Sequence, residues 1–247
     1  MIELEVCCGG FEDALAAYKG GARRIELNSA LHLGGLTPSL GSLLLTKKKT
    51  DLKVIAMVRP RAAGFCYSEE DMMTMFVDAQ LLLENGADGI AFGFLNKDCS
   101  IDEKCTKEMV SLIKSFGKDK EAVFHRAYDC TEDANRSAKL LIECGVDRIL
   151  TSGLEAKANE GINTIKELEK KYGSEIEILA GSGLNFENCT EFINESKVKQ
   201  IHSSCKDWVN DETTTVNRVS YSYHNEFDYD VVSEEKVRKL VKVINKI

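Results

Sequence analysis

The residues able to carry chemistry stand at the ends of short β-type runs. The stretch Arg23 to Gly41, RRIELNSALHLGGLTPSLG, puts Arg24, Glu26 and Asn28 on one parity and Ile25 and Leu27 on the other. Further along come Arg59 and Arg61, then His125-Arg126 with Asp129, then Thr151-Ser152-Gly153, Gly181-Ser182-Gly183 and His202. Cys7 closes the first such run. A histidine at a strand end can act as general acid or base or bind a metal. His125 is therefore the candidate for proton transfer, with Glu26 to orient or assist it. Arg59, Arg61 and Arg126 suit a small anion. Ser152, Gly181 and Gly183 lie in turns whose backbone N–H groups could cradle its phosphate, and His202 adds a second imidazole. Cys7 offers a thiol to a soft metal. Each has a plainer alternative: a satisfied core histidine, a small buried hydrophobe at Cys7, a tight turn with no ligand at Gly181–Gly183.

The elements that must position these residues follow a rhythm of about thirty residues. β-type runs occur at 2–6, 24–28, 53–58, 89–92, 122–125, 148–151, 175–180 and 200–203. Amphipathic helical stretches lie between them, at 11–19, 39–48, 69–85, 102–116, 132–144, 163–171, 186–194 and 234–247. Ser68-Glu-Glu-Asp71 resembles a capping box, and Thr37 followed by Pro38 predicts a helix start. Gly86, Gly145 and Gly173 predict left-handed helix ends. Eight strand–helix units predict a (β/α)8 TIM barrel in one domain spanning 1–247. A doubly wound sheet, which more often uses five or six strands, is the alternative.

Barrel strands are buried on both faces and are usually apolar throughout. The first two break this rule: Glu3, Glu5 and Cys7 alternate with Leu4 and Val6, just as the second run alternates. The apolar set must face the helices, so the polar set points into the barrel. Glu5, Arg24 and Glu26 then either position site residues or form a paired network that only fills the core. Met57 shares the inward parity of Arg59 and reads as core or as a soft ligand. One stretch, Cys205 to Asp230, breaks the rhythm after the eighth strand; it reads as a long polar loop, acting as lid, subunit arm or plain insertion.

Hydrophobic residues at 43% and charged residues at 29% are ordinary for a globular protein. A net charge of −8 and a pI near 5.2 exclude nucleic acid and anionic membrane as main partners. Nine scattered cysteines without a CxxC pair predict reduced thiols and a cytoplasmic protein. Cys66, Cys130 and Cys205 follow strands at the same end as Cys7 and offer other soft ligands. Cys105, Cys144 and Cys189 read as packing.

The motifs together resemble the copper homeostasis protein family CutC. They are Glu5-Val6-Cys7, Gly20-Gly21-Ala22, Arg24-Ile25-Glu26-Leu27, Gly34-Gly35-Leu36-Thr37-Pro38-Ser39 and Arg59-Pro60-Arg61. Ala87-Asp88-Gly89, Phe92-Gly93, Phe124-His125-Arg126-Ala127, Arg148-Ile149-Leu150-Thr151-Ser152-Gly153, Gly181-Ser182-Gly183 and His202 continue the set along nearly the whole chain. The resemblance implies a (β/α)8 barrel, a cytoplasmic location, self-association and a role in copper handling. It also implies a Cu(I) site built on the cysteine matching Cys7 and on a second cysteine directly after Arg-Ile-Glu-Leu. Here that second position is Asn28, so a two-thiolate site lacks a ligand. Three readings follow: a copper-handling protein that binds Cu(I) at the barrel mouth; an enzyme acting there on a small anionic, phosphorylated metabolite; or a non-catalytic homo-oligomeric scaffold whose 205–230 loop makes subunit contacts.

Overall fold

A computed structural model describes residues 2–247. Eight parallel strands close into a barrel in chain order: β1 (Glu3–Cys8), β2 (Arg24–Leu27), β3 (Lys53–Met57), β4 (Gly89–Phe92), β5 (Glu121–Phe124), β6 (Arg148–Thr151), β7 (Glu177–Ala180) and β8 (Gln200–Ser203). Each is followed by a helix that packs outside the ring: α1 (Phe11–Gly20), α2 (Leu40–Lys49), α3 (Glu69–Glu84), α4 (Glu103–Ser115), α5 (Ala134–Cys144), α6 (Ile162–Tyr172), α7 (Cys189–Ser196) and α8 (Glu234–Ile244). The (β/α)8 barrel is the architecture the rhythm predicts, and the doubly wound alternative is excluded by β1 pairing with β8.

The ends of the helices differ from expectation in places. Ser39, not Thr37, caps α2, its hydroxyl accepting from the Ser42 N–H. Thr37 instead ties the loop after β2 to the end of β3: its N–H donates to the Arg59 carbonyl at 3.0 Å, and the Arg59 N–H donates to its hydroxyl at 3.0 Å. Ser68 caps α3 as predicted. Gly86 and Gly145 adopt left-handed φ of +96° and +81°, whereas Gly173 stays right-handed at −63°.

The alternation in β1 and β2 has the predicted meaning. Leu4, Val6, Ile25 and Leu27 are buried in the layer between strands and helices. Inside the ring, Ile55, Met57, Ala91 and Val123 form a small separate apolar cluster. The rest of the barrel floor is ionic. Arg24 Nε lies 2.8 Å from Glu5 Oε2, and its other end donates to Gln200 Oε1 at 2.6 Å. Arg148, 1% exposed, donates to Glu177 and Glu121 at 2.8 and 3.0 Å and stands 4.0 Å from Glu5. Glu26 is not part of this network. The register pairs Glu5 with Arg24 and Cys7 with Glu26, one layer nearer the C-terminal ends.

The 205–230 stretch is not a loop. β9 (Lys206–Asn210) pairs antiparallel with β12 (Asp228–Val232), and β10 (Thr215–Val216) with β11 (Val219–Ser220) at the tip. The arm is held by aromatic stacking: Trp208 lies on His224 with ring centroids 3.5 Å apart, and Tyr223 on His32 at 4.3 Å. Its polar composition masked strands because β9 and β12 are mostly half-buried and only Val232 enters the core, so little apolar alternation shows.

Removing the Arg148 guanidinium strands Glu121, Glu177 and Glu5 with less compensation. Breaking a buried ion group of this kind costs about 3–5 kcal/mol. Arg148→Met is expected to lower the unfolding free energy by that amount in urea titration; an unchanged midpoint would show that the floor network adds nothing net.

Candidate functional site

A cavity of about 680 Å³ opens at the C-terminal end of the strands. This is the face where barrel enzymes keep their sites. Cys7, Glu26, Asn28, Arg59, His125 and His202 all line it, and so do Arg126 and Gly183. Arg61, Ser152 and Gly181 do not.

The deepest polar group is built by β1, β2 and β8. Cys7 Sγ, a Glu26 carboxylate oxygen and a His202 ring nitrogen all lie within 4.8 Å of one another. His202 Nδ1 is 2.9 Å from Glu5 Oε1, which leaves Nε2 as its other polar atom. Asn28 Nδ2 donates to Glu26 Oε2 at 2.9 Å and lies 3.6 Å from Cys7 Sγ. The Cys7 thiol points its own proton at Glu26 Oε2, 3.8 Å away. Asn28 therefore takes the place beside Cys7 as a hydrogen-bond donor, not as a metal ligand.

The electrostatics of the layer follow from that packing. Burial alone would lift Glu5, yet Arg24, His202 and Arg148 together hold it down at about 2. Burial would deprotonate His202, but its bonds with Cys7 and Glu5 and the charge of Glu26 raise it well above 6.5, so it carries an imidazolium. Glu26 is raised by burial and by the Glu5 charge, against the pull of His202, Asn28 and Cys7. Burial and the two carboxylates also raise the Cys7 thiol.

His125 sits on the far wall, at the end of β5. Its Nδ1 accepts the Ala127 N–H at 3.1 Å, which places the ring proton on Nε2. The ring lies against Phe65, centroids 5.0 Å apart. Gly93 is required beside it, because a Cβ there would fall 2.6 Å from His125 Cε1. Burial, with the Arg59 charge, pushes its pKa down to about 3. The neutral ring accepts at Nδ1 and presents the Nε2 proton to the cavity.

The arginine expectations also need correction. Arg59 reaches the cavity, but its guanidinium donates to the carbonyls of Leu33, Gly35 and Ala63 at 3.2, 3.1 and 2.6 Å. It braces the loops after β2 and β3, and Nε is the atom left without a partner. Arg61 turns outward to Asp71 at 2.8 Å and to the Cys66 carbonyl at 2.9 Å. Arg126 is paired with Asp129 at 2.8 Å and with the Ser152 hydroxyl at 2.6 Å. Ser152 lies beneath that pair, its N–H donating to Asp129. Gly181 serves packing, since a Cβ there would meet Leu150 at 2.8 Å. Of the other cysteines at this end, Cys205 lines the cavity, while Cys66 and Cys130 are exposed and do not. Sequence reasoning missed Lys206 and Lys236 on the cavity rim. They come from the arm and from α8, and nothing in their local sequence signals the return of the chain to the mouth.

The CutC family model matches residues 2–207. A family protein CutC of Treponema denticola is 44% identical over 245 residues, covering 98% of both chains. A copper homeostasis protein cutC homolog of Drosophila melanogaster is 38% identical over 209 residues, 83% of this chain and 78% of that protein. The crystal structure of CutC from Streptococcus agalactiae superposes with a TM-score of 0.76 at 29% identity, covering 83% of this chain and 99% of that one. A phosphoribosylanthranilate isomerase from Pyrococcus furiosus, at 13% identity and TM-score 0.60, shares the fold alone.

The two histidines are expected to differ in solution. At pH 7, nitrogen NMR should show His202 as an imidazolium and His125 as the neutral Nε2–H tautomer. Because His125 takes up a proton near 6.5 unfolded but only at about 3 folded, its contribution to stability is present above 6.5 and is lost as pH falls toward 3. His125→Gln should lack that part of the acid sensitivity. A His125 resonance titrating near 6.5 in the folded protein would contradict the burial and tautomer described.

Proposed function

The chain belongs to the CutC family, and on that premise we propose that it handles copper as cargo, binding Cu(I) at the barrel mouth between Cys7 and His202, with Glu26 as a third donor. The observation that carries this is the convergence of one thiol, one imidazole and one carboxylate within 4.8 Å. A thiolate and an imidazole suit copper, and the thioether of Met57 on the same cavity wall is a further soft donor. The Glu5 carboxylate behind His202 is the outer partner that metal-binding imidazoles usually have. The missing second thiol at Asn28 makes this a mixed site rather than a two-thiolate one.

Both soft ligands hold protons in the metal-free protein. Binding must release them, so affinity rises with pH. The family membership also supports a copper-homeostasis role in the cytoplasm. All nine cysteines are free, as a reducing compartment would leave them. No helix among the described residues is long and apolar enough to cross a membrane. We further read the chain as a homo-oligomer: Met73, Val77 and Leu81 form an exposed stripe along α3, 70%, 57% and 43% accessible, next to Leu40 and Leu44 of α2.

Anaerobic Cu(I) titration against a competing chelator tests the site. Glu5→Gln should weaken binding about 10–100-fold, as loss of an outer partner does, and Cys7→Ser should weaken it further. Unchanged affinity in Cys7→Ser removes the proposed site. Sedimentation of Val77→Glu tests the stripe: dissociation is expected, and an unaltered assembly excludes this face.

A further inference from the structure

An ion held by Cys7, Glu26 and His202 occupies a small part of the mouth. The space of about 680 Å³ is of the size that takes a small organic molecule. Four buried polar atoms of lining residues have no hydrogen-bond partner: Glu26 Oε1, Asn28 Oδ1, Arg59 Nε and His125 Nε2. Of these, the Glu26 carboxylate can take a proton and the His125 imidazole can donate one in a hydrogen bond. Both side chains line the cavity and both residues are 3% exposed. Leaving such an atom buried and unsatisfied is unfavourable, so each marks a place where a ligand atom belongs. The two are opposite in character. Glu26 Oε1 accepts, because Oε2 already takes the Asn28 amide. His125 Nε2–H donates, because Nδ1 already takes the Ala127 N–H. They project from β2 and β5, separated around the ring by β3 and β4, so a ligand touching both lies across the mouth. Met57, Phe65, Leu150 and Leu184 line the same space and limit water.

We infer that the mouth binds a small α-hydroxy-carbonyl compound and shifts a proton on its carbon skeleton, Glu26 taking the proton and His125 holding the carbonyl oxygen. The ionised Glu26 removes the hydrogen from the carbon that bears the hydroxyl. The C–H electron pair becomes the C=C bond of an enediolate, and the carbonyl π pair moves onto the oxygen facing His125 Nε2–H. Glu26 then returns the proton to the former carbonyl carbon while the hydroxyl proton passes to the other oxygen. The product is the isomeric hydroxy-carbonyl, and nothing is oxidised or reduced overall. A carboxylate base opposite a neutral imidazole donor is a pairing suited to this step. This inference does not rest on copper binding, although Glu26 is shared and bound copper should compete.

The test uses the full-length protein freed of metal by a chelator, in D2O, with dihydroxyacetone and dihydroxyacetone phosphate as probes and proton NMR to follow loss of the C–H signal. Wild type should exchange one or both probes faster than buffer, and preference between them tells a neutral from a phosphorylated ligand. Glu26→Gln, with its fold verified by circular dichroism and melting, should be about 10²–10⁴-fold slower, and His125→Gln slower as well. Exchange no faster than buffer with either probe, or Glu26→Gln as fast as wild type, overturns the inference. Cu(I) titration of the same preparation reads the ion site separately, so either proposal can fail while the other stands.

Discussion

A single carboxylate, Glu5, sets the conditions for the rest of the barrel interior. It is 1% exposed inside the barrel, where an unpaired charge would cost several kcal/mol. Three cations meet that cost: Arg24 at 2.8 Å and Arg148 at 4.0 Å on the floor side, and His202 at 2.9 Å on the mouth side. The first two belong to a network that closes the bottom of the ring. The third faces the cavity. Glu5 is therefore the joint between the part of the interior that is structural and the part that is open to ligands.

The consequence is felt one layer up. Because Glu5 fixes His202 as an imidazolium by its Nδ1, the remaining ring nitrogen is held next to Cys7 and Glu26. The β1–β2 register places Cys7 opposite Glu26, and Asn28 donates to both. A cysteine in the place of Asn28 would offer a second soft ligand. The amide instead gives Glu26 a hydrogen bond on one oxygen and leaves the other bare. The residue directly after β2 thus leaves the mouth one thiol at Cys7 and a Glu26 carboxyl group with a free acceptor.

Much of this was legible beforehand. The eight-fold rhythm, the inward parity of Glu5, Cys7, Arg24 and Glu26, and the gathering of Glu26, Arg59, His125 and His202 at one mouth all follow from strand period and strand order. The arginines were misjudged for a physical reason. A guanidinium carries five donors, and a glycine-rich mouth is full of carbonyls; Arg59 binds those of the loops after β2 and β3, and Arg61 those of its own loop. The arm was misjudged because only its last residue, Val232, enters the core, so its strands show little apolar alternation.

The sequence by itself determined the closed ring of parallel strands, the helix-facing core and the list of polar residues that must point inward, since burial and the two-residue strand period leave no other place for them. Only the tertiary structure decided which of those residues pair and which stay unpaired. Pairing depends on register, on rise along the barrel axis and on side-chain reach. These quantities separate Glu26 from the Glu5–Arg24 network by one layer, commit His202 to Glu5, and leave His125 facing the cavity with a proton and no partner.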